Sequence, residues 1–327
     1  MSAIASPRFG RVRSLARALL VPTGAVALLV APAIALDGEP SALVCGEFRA
    51  EFSRVLASGP DSLQVNNLLF EAARKGCVGA LDTLLAVGAS RLARDRSGNT
   101  ALAIAARAGR LPFVKALLAN APPEEAAQLE RANVAGSTPL IQAALGNRTD
   151  VAHALIAGGA NVDAVNAQGE TALSAAAFAG NFKLATVLLE RKAKPDTVDA
   201  TGKSVIVYAA ARGASDIVGE LLDAGVDPNA RYRSDLTALM WAAGHADAAS
   251  VESGLRTVKL LLAHGAKLDL VDDRGRNALM IAASLGHGAI AKALIEAGAD
   301  PTLRDKAGAS AAGLAASQEI KALLTAP

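Results

Sequence analysis

Apolar and polar positions follow one grammar along most of the chain. Residues 98–109 read GNTALAIAARAG and residues 169–180 read GETALSAAAFAG: a glycine turn, a hydroxyl residue, an almost unbroken run of small apolar letters, and a second glycine. A further short apolar run follows each and closes on a pair of leucines, as at Leu117-Leu118, Leu188-Leu189, Leu221-Leu222 and Leu261-Leu262. Runs of this length, bounded by Gly and a capping residue, predict pairs of short helices.

The pairs recur. With the Thr of the TAL triplet as a ruler, equivalent positions are Asn67, Thr100, Thr138, Thr171, Ser204, Thr237, Asn277 and Ser310, separated by 33, 38, 33, 33, 33, 40 and 33 residues. The two longer steps are a 33-residue unit with a short insertion, one near PPEEAAQLER (Pro122 to Arg131) and one within Ala246 to Gly254. A period in this range marks a stacked repeat array.

Each recurring letter has a physical task. The small polar residue caps free N–H groups at the start of the first helix. Paired alanines, such as Ala105-Ala106, Ala176-Ala177 and Ala282-Ala283, allow helices to approach closely. Gly109, Gly180, Gly213 and Gly286 suit a left-handed turn between helices, and Asn147 and Lys192 stand where glycines are expected. Pro112 falls in the opening turn of a second helix, where its missing N–H is harmless.

The pattern resembles the ankyrin repeat, most nearly at Thr138-Pro139-Leu140-Ile141-Gln142-Ala143-Ala144, over residues 61 to 325. The resemblance implies an all-α solenoid of seven to eight helix-turn-helix units joined by short β-turn or hairpin connections. The stretch TALMWAAGHAD, Thr237 to Asp247, with its following insertion, is similar to ankyrin proteins that proteobacteria secrete or hold in the periplasm. A lone unit cannot cover its own apolar faces, so the ends need covers. Residues 36–60, with Phe48, Phe52, Val55 and Leu56 on one helical face, are expected to form the N-terminal cap; residues 61–327 form the array, its last unit a degenerate C-terminal cap.

Composition changes the picture at one end. Residues 1–35 carry Arg8, Arg11, Arg13 and Arg17, then an uncharged run from Ala18 to Ala35 ending in a small-x-small site at Ala33-Ile34-Ala35, the layout of a secretory signal. Its removal moves the formal charge from +2 to −2, so no basic footprint for nucleic acid remains. A periplasmic or secreted monomer without stable membrane insertion is expected; a retained leader would instead give a membrane-tethered scaffold. In an exported chain the two cysteines, Cys45 and Cys77, invite a disulfide that staples the cap to the array; the alternative is two separate thiols.

No nucleophile elbow, phosphate-cradling glycine loop or zinc-protease motif occurs in the sequence, and its four histidines do not recur at ligand spacing. The expected function is non-enzymatic, with no cofactor and no metal: capture of a partner protein on the concave face that the family's turn tips and first helices line. In this chain the variable slots of that face hold Arg107, Phe178, Arg212, Tyr232, Arg233, Trp241, His245, Arg274 and Arg276. Arginine and aromatic side chains dominate interface energetics. Each also has a plainer reading: Trp241 and Phe178 as packing groups, Tyr232 and Arg233 as a repaired turn in which Asp235 replaces a glycine, Arg274 and Arg276 as a solvated charge pair beside Asp272 and Asp273. A hydrolase or small-ligand carrier in the groove of the sixth unit is the remaining alternative.

Overall fold

A computed structural model describes residues 42–119, 121–244 and 251–325. The leader and its cleavage site lie outside these residues, as does His245. Among the described residues there are 17 α-helices and no β-strand, only isolated bridges at Val198–Ser204 and Arg304–Ser310. The order is α1 (Ala42–Ala57), α2 (Ser62–Lys75), α3 (Leu81–Ala86), α4 (Ala101–Ala108), α5 (Leu111–Ala119), α6 (Pro139–Leu145), α7 (Thr149–Ala157), α8 (Ala172–Ala179) and α9 (Phe182–Glu190). It continues with α10 (Val205–Arg212), α11 (Ser215–Asp223), α12 (Ala238–Ala243), α13 (Val251–Ala263), α14 (Ala278–Ser284), α15 (Gly288–Glu296), α16 (Ala311–Leu314) and α17 (Gln318–Thr325).

The even-numbered helices stack in chain order from α2 to α16, and the odd-numbered helices from α5 to α17 form a second layer behind them. This is the all-α solenoid expected from the period. The alanine pairs explain the spacing: Ala72-Ala73, Ala105-Ala106, Ala143-Ala144, Ala176-Ala177, Ala209-Ala210, Ala242-Ala243 and Ala282-Ala283 are all fully buried. With only a methyl group at these positions, the backbones of successive first helices can approach closely. The second layer is held by its leucines. Leu117, Leu188, Leu221 and Leu261, the first of each Leu-Leu pair, are fully buried, each stabilising the stack by roughly 2 kcal/mol.

Thr100, Thr138, Thr171, Thr237, Asn277 and Ser310 each accept a hydrogen bond from the backbone N–H three residues on, at the start of a first helix. Ser204 occupies the same place without a capping bond. The ruler fails in the first unit. Asn67 lies inside α2, which begins five residues earlier because Asp61 and Gln64 form a capping box ahead of it. Gly109, Gly180, Gly213 and Gly286 are left-handed, and so are Asn147 (φ 57°) and Lys192 (φ 61°) in their glycine slots.

At the N-terminal end, Phe48 and Phe52 of α1 are buried with their rings stacked 6.0 Å apart, and Val55 and Leu56 pack partly buried against the core. Cys45 and Cys77 are joined by a disulfide, Cα to Cα 5.5 Å. The first insertion forms a 3-10 helix, Pro123–Glu130, fixed on both sides: Gln128 donates to the Leu117 carbonyl, and Glu130 accepts the Asn161 N–H. Part of the second insertion lengthens α13, which has 13 residues against nine in α11 and α15; residues 245–250 are outside the described ones.

Candidate functional site

The connection ahead of each first helix from α4 to α16 is a tight tip with one recurring bond set. The residues Asp95, Asn133, Asn166, Asp199, Asp272 and Asp305 each open a tip, and each side chain accepts at least one backbone N–H from within that tip. The next residue ties its tip to the preceding one: Val134 to the Ser97 carbonyl, Ala167 to Ala135, Ala200 to Gln168, Asp273 to Ser234 and Lys306 to Arg274. The result is a backbone ladder running along the edge of the stack.

The tip of the sixth unit, with α2 and α3 counted as the first unit and tips numbered by unit, runs from Tyr232 to Leu236 and breaks this pattern. Tyr232 stands where the other tips have Asp or Asn, and a phenol cannot reach back to accept the tip's own N–H groups. Ser234 (φ 61°) and Asp235 (φ 59°) both turn left-handed, whereas the other tips use a single glycine such as Gly202 (φ 77°). The ladder slips by one residue here: the Arg233 N–H donates to Gly202, not to Thr201. The Thr201 carbonyl faces the Arg233 guanidinium instead, at 3.5 Å. A cavity of about 410 Å³ opens at the slip, with Lys203, Arg233, Ser234, Leu236 and Trp241 among its lining residues.

The side chains singled out in sequence fall into two groups. Phe178, 61% exposed on α8, meets the Tyr208 ring of α10 edge-on at 5.8 Å. Arg212 and Arg233 are exposed, Tyr232 is half-buried, and Trp241 is half-buried on α12 with its indole N–H enclosed and without an acceptor among the described residues. These four, with Phe178, lie on consecutive first helices and tips from α8 to α12. The other group sits apart or is already engaged. Arg107, on α4, donates to Gln142 of α6 at 2.9 Å. Arg274 forks onto Asp272, and Arg276 reaches Asp305 of the next tip at 3.0 Å, where it ties two units together.

Lys203 and Tyr208 join the first group and were not visible as site residues in sequence. The Lys203 ammonium lies 5.7 Å from the centre of the Tyr208 ring and 5.6 Å from that of Trp241, within cation–π range of both. The signal was present: Tyr208 and Trp241 occupy the same slot, four residues after Ser204 and Thr237. Tyr208 also donates its hydroxyl to Asp199. Burial and that carboxylate push the Tyr208 phenol up to about 12. Burial alone would raise Asp199, but hydrogen bonds from Tyr208, Thr201 and Lys203 outweigh it and hold the carboxyl below its usual range. Burial also pushes the Tyr232 phenol upward.

Among the described residues no three His, Cys, Asp or Glu side chains are grouped to hold a metal ion, and no helix is long and apolar enough to cross a membrane. Residues 124–199 and 206–305 match a family model described as ankyrin repeats (3 copies), and residues 69–118 match one described as ankyrin repeats (many copies). No curated protein matches the chain. Ankyrin repeats generally mediate protein–protein interaction, and no catalytic family is indicated. Matched over more than half its length by repeat models that its own stacked helix pairs and tip ladder reproduce, the chain belongs to the ankyrin-repeat family.

Proposed function

We propose that this chain is a non-enzymatic binding module that captures a partner protein on the face formed by its first helices and tips, after export to the periplasm. The observation that carries the reading is the cluster from α8 to α12. Phe178, Tyr208, Tyr232 and Trp241 gather there although aromatic residues make up only 3% of the chain, and Arg212, Arg233 and Lys203 stand among them without a carboxylate partner among the described residues. Aromatic rings on rigid helices offer contact area at small entropic cost, and unpaired cations supply orientation. The basic, uncharged and small-x-small succession of residues 1–35 supports export, as does the resemblance of Thr237–Asp247 to exported proteobacterial ankyrin proteins; so does a disulfide, which persists in an oxidising compartment.

Affinity capture from periplasmic extract tests the reading. Arg212→Glu with Arg233→Glu should lose the retained partner, whereas Lys115→Glu with Lys259→Glu, on the second layer, should keep it, and both should preserve the helical circular dichroism. Equal retention by the two variants overturns the choice of face; collapse of the first variant's dichroism shows those arginines to be structural. Intact mass of the periplasmic protein should place its N-terminus at Leu36; a mass including residues 1–35 overturns cleavage of the leader.

A further inference from the structure

The cavity at the slipped tip is more than a surface irregularity, because it coincides with the tip whose opening residue and left-handed turn both depart from the others, and two cations without a salt-bridge partner among the described residues line it. Where the opening residue of a tip is Asp or Asn, its side chain gathers the tip's N–H groups and the ladder stays in register. Tyr232 cannot do this, and the register shifts only between the fifth and sixth tips: the bond from Asp273 to Ser234 restores it immediately afterwards. The resulting space, about 410 Å³, exceeds the adjacent hollow between Phe178 and Tyr208 (about 130 Å³) and the more distant one beside Arg107 (about 220 Å³).

Neither cation that lines it has a carboxylate within salt-bridge distance among the described residues, although the negative charges of Asp199, Asp196 and Asp227 lie in the same region. Asp199, the carboxylate nearest to Lys203 in sequence, is occupied by the Tyr208 hydroxyl, the Thr201 hydroxyl and two backbone N–H groups. Glu170 is held by Asn166, and Asp235 leans toward Arg231 at 3.9 Å. That leaves the Lys203 ammonium over two aromatic faces and the Arg233 guanidinium against one carbonyl at 3.5 Å, both lining the same cavity. Trp241 and Leu236 provide an apolar wall. Arg212 follows Tyr208 by one helical turn on α10, so a third exposed cation lies on the same side of that helix.

Building on the binding-face reading above, we infer that the cavity between the fifth and sixth tips receives the carboxylate of a Glu or Asp side chain from an extended acidic segment of the partner protein. The carboxylate sits between Lys203 and Arg233, and its methylene stem lies along Trp241 and Leu236. A second acidic residue of the segment pairs with Arg212. Guanidinium and ammonium groups beside aromatic rings, partly shielded from water, bind a carboxylate more strongly than exposed cations do.

Trp241 is the only tryptophan in the chain, so its fluorescence reports directly on the cavity. The full chain is titrated with a synthetic peptide carrying Glu at alternate positions, with its Gln counterpart, and with inorganic phosphate. A saturable response to the Glu peptide is expected, at least tenfold weaker with the Gln peptide and weakened further by added salt. Lys203→Gln should lower affinity at least tenfold. Tyr232→Asn combined with Asp235→Gly, which restores the usual tip, should abolish binding while raising the thermal midpoint, an outcome that general loss of folding cannot produce. No saturable response up to millimolar Glu peptide, or equal binding of the Gln peptide, overturns the inference. Phosphate binding as tightly as the Glu peptide shows a small-anion pocket and overturns it too. Partner capture that survives Lys203→Gln and the restored tip, yet is lost with Arg212→Glu and Arg233→Glu, removes the cavity while leaving the binding face intact.

Discussion

Breaking the Cys45–Cys77 disulfide is expected to loosen one end of the stack and leave its middle unchanged. The bond spans 32 residues, and closing a loop of that length is worth roughly 3–4 kcal/mol when the unfolded chain is treated as a flexible coil. Beyond the disulfide, α1 is held mainly by the buried rings of Phe48 and Phe52, with Val55 and Leu56 partly buried against the core. With Cys45 and Cys77 both changed to Ser, α1 should therefore open far more often. Since 1.4 kcal/mol is a factor of ten, its opening constant should rise by roughly two to three powers of ten. Native-state hydrogen exchange read by peptide-resolved mass spectrometry measures this directly. Protection in α1 and the start of α2 should fall, whereas α8 to α12 should keep theirs, because each unit touches only its neighbours. Unchanged protection in α1 would refute the staple. A uniform loss along the whole array would refute the nearest-neighbour account of its stability.

Two further outcomes follow from local geometry. A Cβ at Gly136 (φ 75°) would lie 2.7 Å from the Ala167 backbone nitrogen, a member of the tip ladder, while one at Gly109 (φ 78°) meets the movable Arg148 side chain; Gly136→Ala should therefore lower stability by at least ~2 kcal/mol and Gly109→Ala by about 1 kcal/mol in urea titration, and equal costs would contradict the ladder argument. Asp199 has a lowered folded-state pKa, so it contributes stability that is complete above the ordinary carboxylate range and is lost as pH falls through the depressed value. Tyr208→Phe removes one bond that depresses it and should move acid unfolding, followed by circular dichroism, to higher pH; superimposed acid profiles would show that the Tyr208 bond does not couple to folding.

Much of this protein was determined by its sequence, because ankyrin repeats are built from local contacts. Alanine pairs, capping Thr residues and the Leu-Leu endings act within one unit or between neighbours, so the 33-residue period already implied the helix pairs and their stacking. The same locality made Asn147 and Lys192 recognisable as left-handed glycine substitutes. Where a stronger local signal competed, the ruler misled: the Asp61 capping box started α2 well ahead of Asn67.

The tertiary structure alone decided which partner Arg276 takes and where a cavity opens along the tips. The pairing of Arg274 with Asp272, two residues away, was already legible beside Asp272 and Asp273 in the sequence, whereas Arg276 pairs with Asp305 of the next tip, and that distance across units no letter encodes. Tyr232 and Asp235 marked an unusual turn, yet its consequence, a one-residue slip that opens a cavity under Lys203 and Trp241, exists only when two successive tips are laid side by side. A repeat sequence specifies each unit and its stacking; the gap between two units arises from the mismatch of their backbones in three dimensions.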